Sequence, residues 1–264
     1  MEAILANIAF VSFIAAALVQ AVDLIKNNLK VSPVASALPI FGAVLLLISL
    51  VLRSFTIGFV ALTSSYESLV FYSALIAIVA FIYKIQKKLP YKPVMVFGAT
   101  MVIVVLLAVA SSPLIPREAL PPIPALRSAW LLLHVSFSFI GEAFFVLGFV
   151  ASVLFLFSKN DAKLGEFDRI AYTAIATGYL FFTAGALAFG AIWAEQAWGR
   201  WWSWDPKETW ALVTWLVYTA YLHLRLIAKK GGKLPAWLSV IGFLCTIFTF
   251  FGVNYLLPGL HSYG

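Results

Sequence analysis

Eight apolar runs divide this chain almost from end to end, near residues 4–22, 35–52, 66–83, 94–111, 130–157, 170–192, 207–227 and 236–256. Each is close to the ~20 residues that an α-helix needs to cross a bilayer. The chain is 63% hydrophobic and 11% charged, against roughly 25% charged in a soluble domain. These features predict an all-α, polytopic membrane protein of about eight transmembrane helices, with the lipid bilayer as its main solvent. The turns between runs leave no room for a separate soluble domain, so residues 1–264 read as a single integral membrane domain. Met1 and Glu2 lead into the first run with no basic n-region and no small-residue cleavage site, so that helix reads as retained. Cys245 is the only cysteine and lies inside the last run. That excludes an internal disulfide and a CxxC redox pair, and leaves Cys245 a packing role.

With eight spans, alternate connections share a side. One set of connections carries 13 basic residues, from Lys26 and Lys30 through Lys84, Lys87, Lys88, Lys92, Lys159, Lys163 and Arg169 to Arg225, Lys229, Lys230 and Lys233. The other set has five: Arg53, Arg117, Arg127, Arg200 and Lys207. The positive-inside rule puts the first set in the cytoplasm and both termini outside. The net charge of +7 arises from this asymmetry and does not imply a nucleic-acid partner.

On the outer side lies an unusual segment. Residues 198–210 hold Trp198, Trp201, Trp202, Trp204 and Trp210, and with Trp193 and Trp215 just outside it seven of the nine tryptophans fall between 193 and 215. A membrane-interface belt distributes its aromatics over many helices. One cluster suits a flat apolar surface for a large planar ligand. The only three histidines are His134, His223 and His261. His134 lies about one turn into the fifth span, and His261 just beyond the eighth, both on the side of the Trp loop. His223 follows Pro206 by seventeen residues, about 26 Å along a helix, which puts it in the inner half of the membrane. Two outer imidazoles and an indole surface suit a haem, with Arg200 and Lys207 available to its propionates. Aromatic-belt anchoring stays open as the alternative at this point.

Asp205-Pro206 reads first as the N-cap and first residue of the seventh helix, with Glu208 suiting its positive end. Glu142, inside the fifth span, is a functional candidate because an ionisable group in a membrane helix needs a reason. Pairing with another helix's polar group is the alternative. Glu67, at the outer start of the third span, is a further candidate, with helix-start charge compensation as its plainer role.

The run Trp193-Ala194-Glu195-Gln196-Ala197-Trp198-Gly199 through Trp204-Asp205-Pro206-Lys207-Glu208-Thr209-Trp210 resembles the WWD motif of haem-handling membrane proteins, and most closely the CcsA (ResC) family of System II cytochrome c biogenesis. Ser65-Tyr66-Glu67-Ser68-Leu69 looks like that family's YES segment. The surroundings of His134, His223 and His261 look like its first external, membrane and second external histidine regions. The match runs from about residue 60 to the C-terminus.

The resemblance implies a haem-handling subunit of a cytochrome c synthase. His134 and His261 would hold the iron of haem b against an external loop, 193–210, with Trp198, Arg200, Trp201, Trp202, Trp204, Asp205 and Trp210 in contact with the porphyrin. His223 would share a second, inner haem with a histidine of the partner CcsB (ResB). The two thiols of a CxxCH segment of apocytochrome c add across the haem vinyl groups, so no catalytic nucleophile is expected from this chain. The membrane is expected to be a bacterial inner (cytoplasmic) membrane, or else a plastid thylakoid membrane, with the active face periplasmic or lumenal. The alternatives are a CcmC-like loader of haem onto a chaperone, and a haem-independent transporter or scaffold.

Overall fold

The computed structural model describes residues 1–26, 30–86 and 91–257. All regular structure among them is helical. The main helices are α1 (Glu2–Ile25), α2 (Pro33–Ile57), α3 (Ser65–Ile85), α4 (Lys92–Ala110), α5 (Ala129–Phe157), α6 (Asp161–Phe182), α7 (Gly190–Trp198), α8 (Pro206–Leu226), α9 (Lys233–Ile247) and α10 (Val253–Leu256). Two π-helical segments, Thr183–Phe189 and Phe248–Gly252, join α6 to α7 and α9 to α10 without a break in the helix. Seven helical stretches are long and apolar enough to cross a membrane by length and composition. The eighth expected span, α8, is 21 residues long, which gives about 31 Å. Its tryptophans, tyrosines and threonines, with His223 and Arg225, make it less apolar than the rest.

The helices group into two compact units, residues 1–127 and 128–264. In the first unit α1 packs on α2 and α4, and α3 on α2 and α4, which closes a four-helix bundle. In the second, α5 packs on α6 and α9, and α8 on α9 and α6, so the same cycle is built again. Tight crossing of α5 and α6 rests on small residues. A Cβ at Gly141 would lie 2.7 Å from the Gly178 carbonyl oxygen, and one at Gly178 2.6 Å from that of Gly141. Within lipid, close backbone approach of this kind supplies the dispersion contacts that hydrophobic burial supplies in water.

The second and third helices of each unit are joined by one frame. The C-cap of α2 is Gly58 (φ 66°), and that of α7 is Gly199 (φ 69°). Six residues after each glycine comes an N-cap, Ser64 for α3 and Asp205 for α8. Three residues after each cap, a glutamate completes a capping box, Glu67 or Glu208. The left-handed conformation stops the helix and the box starts the next one, so the length of the connection is set at both ends.

Glu67 is committed to the first of these frames. One carboxylate oxygen accepts from the Thr63 and Ser64 backbone N–H groups and from Thr63 Oγ1. The other accepts from Arg53 Nε at 2.8 Å. Arg53 is only 2% exposed and also meets Glu2 Oε1 at 2.9 Å and the carbonyl oxygens of Arg117 and Glu118. Its guanidinium lies over the Tyr66 ring, 5.1 Å from the centroid. Thus Glu67 does more than offset a helix end: it holds a buried arginine that gathers α1, α2, α3 and the segment after α4.

Candidate functional site

Ser128 caps α5 by accepting from the Trp130 N–H, and places His134 in the second turn of that helix. The half-buried His134 ring is positioned from three directions by the stretch after α6. Its Nδ1 lies 2.9 Å from the Gly185 carbonyl oxygen, in the first π segment. A π turn displaces carbonyls from the i→i−4 ladder, so one can accept from a side chain. A carbonyl oxygen can only accept, so Nδ1 is the donor in this contact. The ring lies parallel to the Trp193 indole, with centroids 6.0 Å apart and 4° between planes. Gly190 forms a close wall, because a Cβ there would be 3.0 Å from Nδ1.

From His134 an aromatic ladder leads to the loop. Trp193 is 2% exposed and meets Trp198 edge to face, at 6.0 Å and 75°. Ser128 Oγ also donates to the Gln196 side-chain oxygen, tying the start of α5 to α7. Beyond Gly199 the chain turns outward. Arg200 is exposed, and Trp201 and Trp204 are 59% and 69% exposed. Trp202 is half-buried and meets Trp204 edge to face at 5.8 Å. Trp204 has φ +59°, a left-handed conformation that costs an ordinary L-residue roughly 1–2 kcal/mol. Such strain is held only where the surroundings impose it. Here the Glu208 carboxylate does so, accepting from Ser203 N, Ser203 Oγ and Asp205 N on either side of Trp204.

Asp205 is 6% exposed and caps α8, its Oδ2 accepting from the Lys207 N–H. The capping role expected of Asp205 is the one observed, and Glu208, expected to suit the positive helix end, also completes a capping box. Two indole nitrogens of the loop, Trp198 Nε1 and Trp202 Nε1, are buried donors with no acceptor among the described residues. A buried N–H without an acceptor costs about 1–3 kcal/mol.

The remaining sequence candidates lie apart from this cluster or deeper. Trp210 faces the second π segment, 4.3 Å from the Phe248 ring. Trp215 donates through Nε1 to Thr183 Oγ1 at the start of the first. Lys207 turns inward, its Nζ donating to Asn254 Oδ1 at 3.1 Å, and its charge is felt by Glu142 on α5. Glu142 lies within α5, inside the helix that carries His134. His223 is exposed on α8. His261 lies outside the described residues. Sequence reasoning missed Gly185, Gly190 and Asn254. A backbone acceptor has no side-chain signature, and only the run of small residues at Thr183-Ala184-Gly185-Ala186 hints at the irregular helix.

A family described as "Cytochrome C assembly protein" matches residues 62–261. Among curated relatives, the cytochrome c biogenesis protein CcsA of Pyropia yezoensis is 33% identical, over 100% of this chain and 98% of its own length. A CcsA of Prochlorococcus marinus is 35% identical over 84% of this chain and 81% of the relative. That of Chlamydomonas reinhardtii is 45% identical over 56% of this chain and 44% of the relative, so the aligned part is less than half of that protein. Among solved structures, the cytochrome c haem lyase CcmF superposes with a TM-score of 0.69 at 17% identity, over 99% of this chain and 48% of that one. The fold is shared, and this chain spans about half of the CcmF chain.

Proposed function

The chain belongs to the cytochrome c assembly protein family, among the CcsA proteins, and on that premise we propose that it presents haem b at the outer membrane face for thioether attachment to apocytochrome c. The single observation that carries this reading is the fixed imidazole of His134. Its Nδ1 is tied to the Gly185 carbonyl and its plane set by Trp193. Metal-ligating histidines are oriented in this way by a hydrogen bond on the other ring nitrogen. Nε2 of His134 is one axial ligand in this reading, and His261 is the other.

The surface beside it suits the same substrate. Trp201 and Trp204 offer exposed indole area, and the buried N–H groups of Trp198 and Trp202 suit propionate oxygens. Arg200, exposed at the loop tip, adds a cation. Attachment forms an S–C bond at each vinyl group as the thiol hydrogen passes to the neighbouring vinyl carbon. The thiols come from the CxxCH segment, so this chain's contribution is to hold and orient. The basic asymmetry of the loops puts the Trp loop outside. His223, exposed on α8, is the residue by which this chain shares an inner haem with the partner CcsB.

The test is a ligand-replacement experiment on the membrane complex with CcsB. His134→Gly and His261→Gly should each lower haem retention and abolish cytochrome c maturation. Added imidazole should restore part of both by filling the vacated axial position. Haem binding and maturation at wild-type levels in both variants would defeat the assignment.

A further inference from the structure

The features that position the His134 ring lie in or after the first π segment. Gly185 is inside it, and Gly190 and Trp193 follow in α7. Successive residues turn by about 100° around an α-helix, and a π turn takes up more of them. Where the helix departs from α therefore sets the direction of the Gly185 carbonyl. It also sets the faces on which Gly190 and Trp193 stand beyond it.

That point is marked by Thr183, the first residue of the segment. Its hydroxyl turns back to the Tyr179 carbonyl, four residues earlier, at 2.7 Å. Such back-bonding competes with the backbone ladder and bends helices. With its single proton committed there, Thr183 Oγ1 is an acceptor toward its other partner, the Trp215 indole on α8. Trp215 Nε1 donates to it at 3.0 Å. The Trp215 ring also stacks on Tyr179, with centroids 5.6 Å apart and 24° between planes. Tyr179 in turn donates its hydroxyl proton to Thr219 Oγ1 at 2.8 Å, because the Thr219 proton goes to the Trp215 carbonyl. Four half-buried residues on two neighbouring stretches of helix thus close a circuit. Apolar side chains would pack these helices without any donor to match inside the span. What the circuit adds is a fixed partner for one hydroxyl, at the place where α6 gives way to the π segment.

We propose that Trp215 is a positioning residue for the axial ligand His134: its indole N–H holds Thr183, fixes where the π segment begins, and so aims the Gly185 carbonyl at Nδ1. This rests on the reading that His134 ligates the outer haem. It gives a role to a tryptophan that stands nine residues beyond Pro206 on α8 and acts without touching the porphyrin.

The experiment uses the full-length chain in its membrane complex with CcsB. Trp215→Phe keeps a ring against Tyr179 and loses the N–H. Thr183→Val keeps the shape and loses the hydroxyl. These variants and their double are compared with His134→Gly. Haem per folded complex and the reduced absorption spectrum are recorded with and without imidazole. A lost orienting partner costs a metal site roughly 10–100-fold, so each single variant should weaken outer haem binding by about tenfold. The haem that remains should show the spectrum of the His134→Gly complex. Imidazole should restore it, because a free ligand needs no aiming. The double variant should be no worse than either single one, since both remove the same contact. Thr183→Ser, which keeps the hydroxyl, should retain most of the haem. Wild-type haem and spectrum in Trp215→Phe and Thr183→Val would overturn the proposal and leave the packing of Gly185 on α5 to set the register. So would a loss that imidazole does not repair, a failure of both variants to fold, or a double variant that multiplies the two single losses, since each marks a packing role. If His134→Gly itself leaves haem unchanged, the ligand assignment falls first. If only that variant loses haem, the assignment stands and the role of Trp215 falls alone.

Discussion

The wall that Gly190 forms beside His134 makes a sharp prediction for Gly190→Ala. The new Cβ would stand 3.0 Å from Nδ1 and 3.2 Å from Cε1, where ordinary contact begins at 3.4 Å. The imidazole must give way by about 0.4 Å. Along the Nδ1 contact to Gly185, a shift of that size stretches a 2.9 Å bond just past the ~3.2 Å edge of the hydrogen-bonding range. The net worth of such a bond is ~0.5–1.5 kcal/mol, and ~1.4 kcal/mol is tenfold in affinity. Helix propensity pulls the other way, since alanine gains about 1 kcal/mol over glycine at the start of α7. The fold should therefore survive with little change in thermal midpoint. Haem per folded molecule should fall by roughly threefold to tenfold. The control is Gly185→Ala, whose Cβ would lie 2.3 Å from the Ser138 nitrogen and 2.6 Å from the Phe137 carbonyl carbon. Backbone cannot swing aside, so that variant should lose folded protein. Haem titration of the purified complex with calorimetry of the same samples reads both quantities. Wild-type haem affinity and spectrum in Gly190→Ala would refute the claim that this contact sets the ligand's direction.

Other consequences are open to direct measurement. Trp198→Phe and Trp202→Phe keep a ring but lose the buried N–H, and should weaken haem binding about tenfold if those groups donate to propionates; affinities unchanged in both would leave only ring contact. Arg53→Leu strips two carboxylates and two carbonyls of a shared buried donor, which costs about 3–5 kcal/mol. Yield and thermal midpoint should drop while haem per folded molecule holds, and the reverse pattern would contradict a purely architectural Arg53. His223→Ala should reduce haem in the complex with CcsB and do nothing to the isolated chain, and equal haem in both complexes would mark His223 as an ordinary surface residue.

The spans are legible in the sequence because apolar length is a strong signal, and α8 is legible by its caps although its composition is the least apolar. The connection into α8 follows from Asp205, Pro206 and Glu208, since capping is local chemistry. What the sequence does not disclose is backbone geometry and long-range pairing. The two π segments add a residue to a turn without disturbing the apolar pattern, and the Gly185 carbonyl belongs to no side chain. Glu67 reads as a helix-start charge because its partner Arg53 is 14 residues away across a turn. Lys207 reads as an outward cation because its amide partner lies 47 residues further on. The grouping of the chain into two units is likewise a property of packing, absent from the even spacing of the runs.

The repeated connection is, in effect, an experiment the molecule has already performed on itself. Gly58 to Glu67 builds with Phe59-Val60-Ala61-Leu62-Thr63 the same frame that Gly199 to Glu208 builds with Arg200-Trp201-Trp202-Ser203-Trp204. The glycine, the cap and the glutamate are common to both, and tryptophan is not. Stopping one helix and starting the next therefore asks nothing of the indoles, whose presence must be accounted for by what they meet. The second connection is an interchangeable cartridge between fixed ends, in which selection could rewrite five positions for a ligand while the architecture stayed where it was.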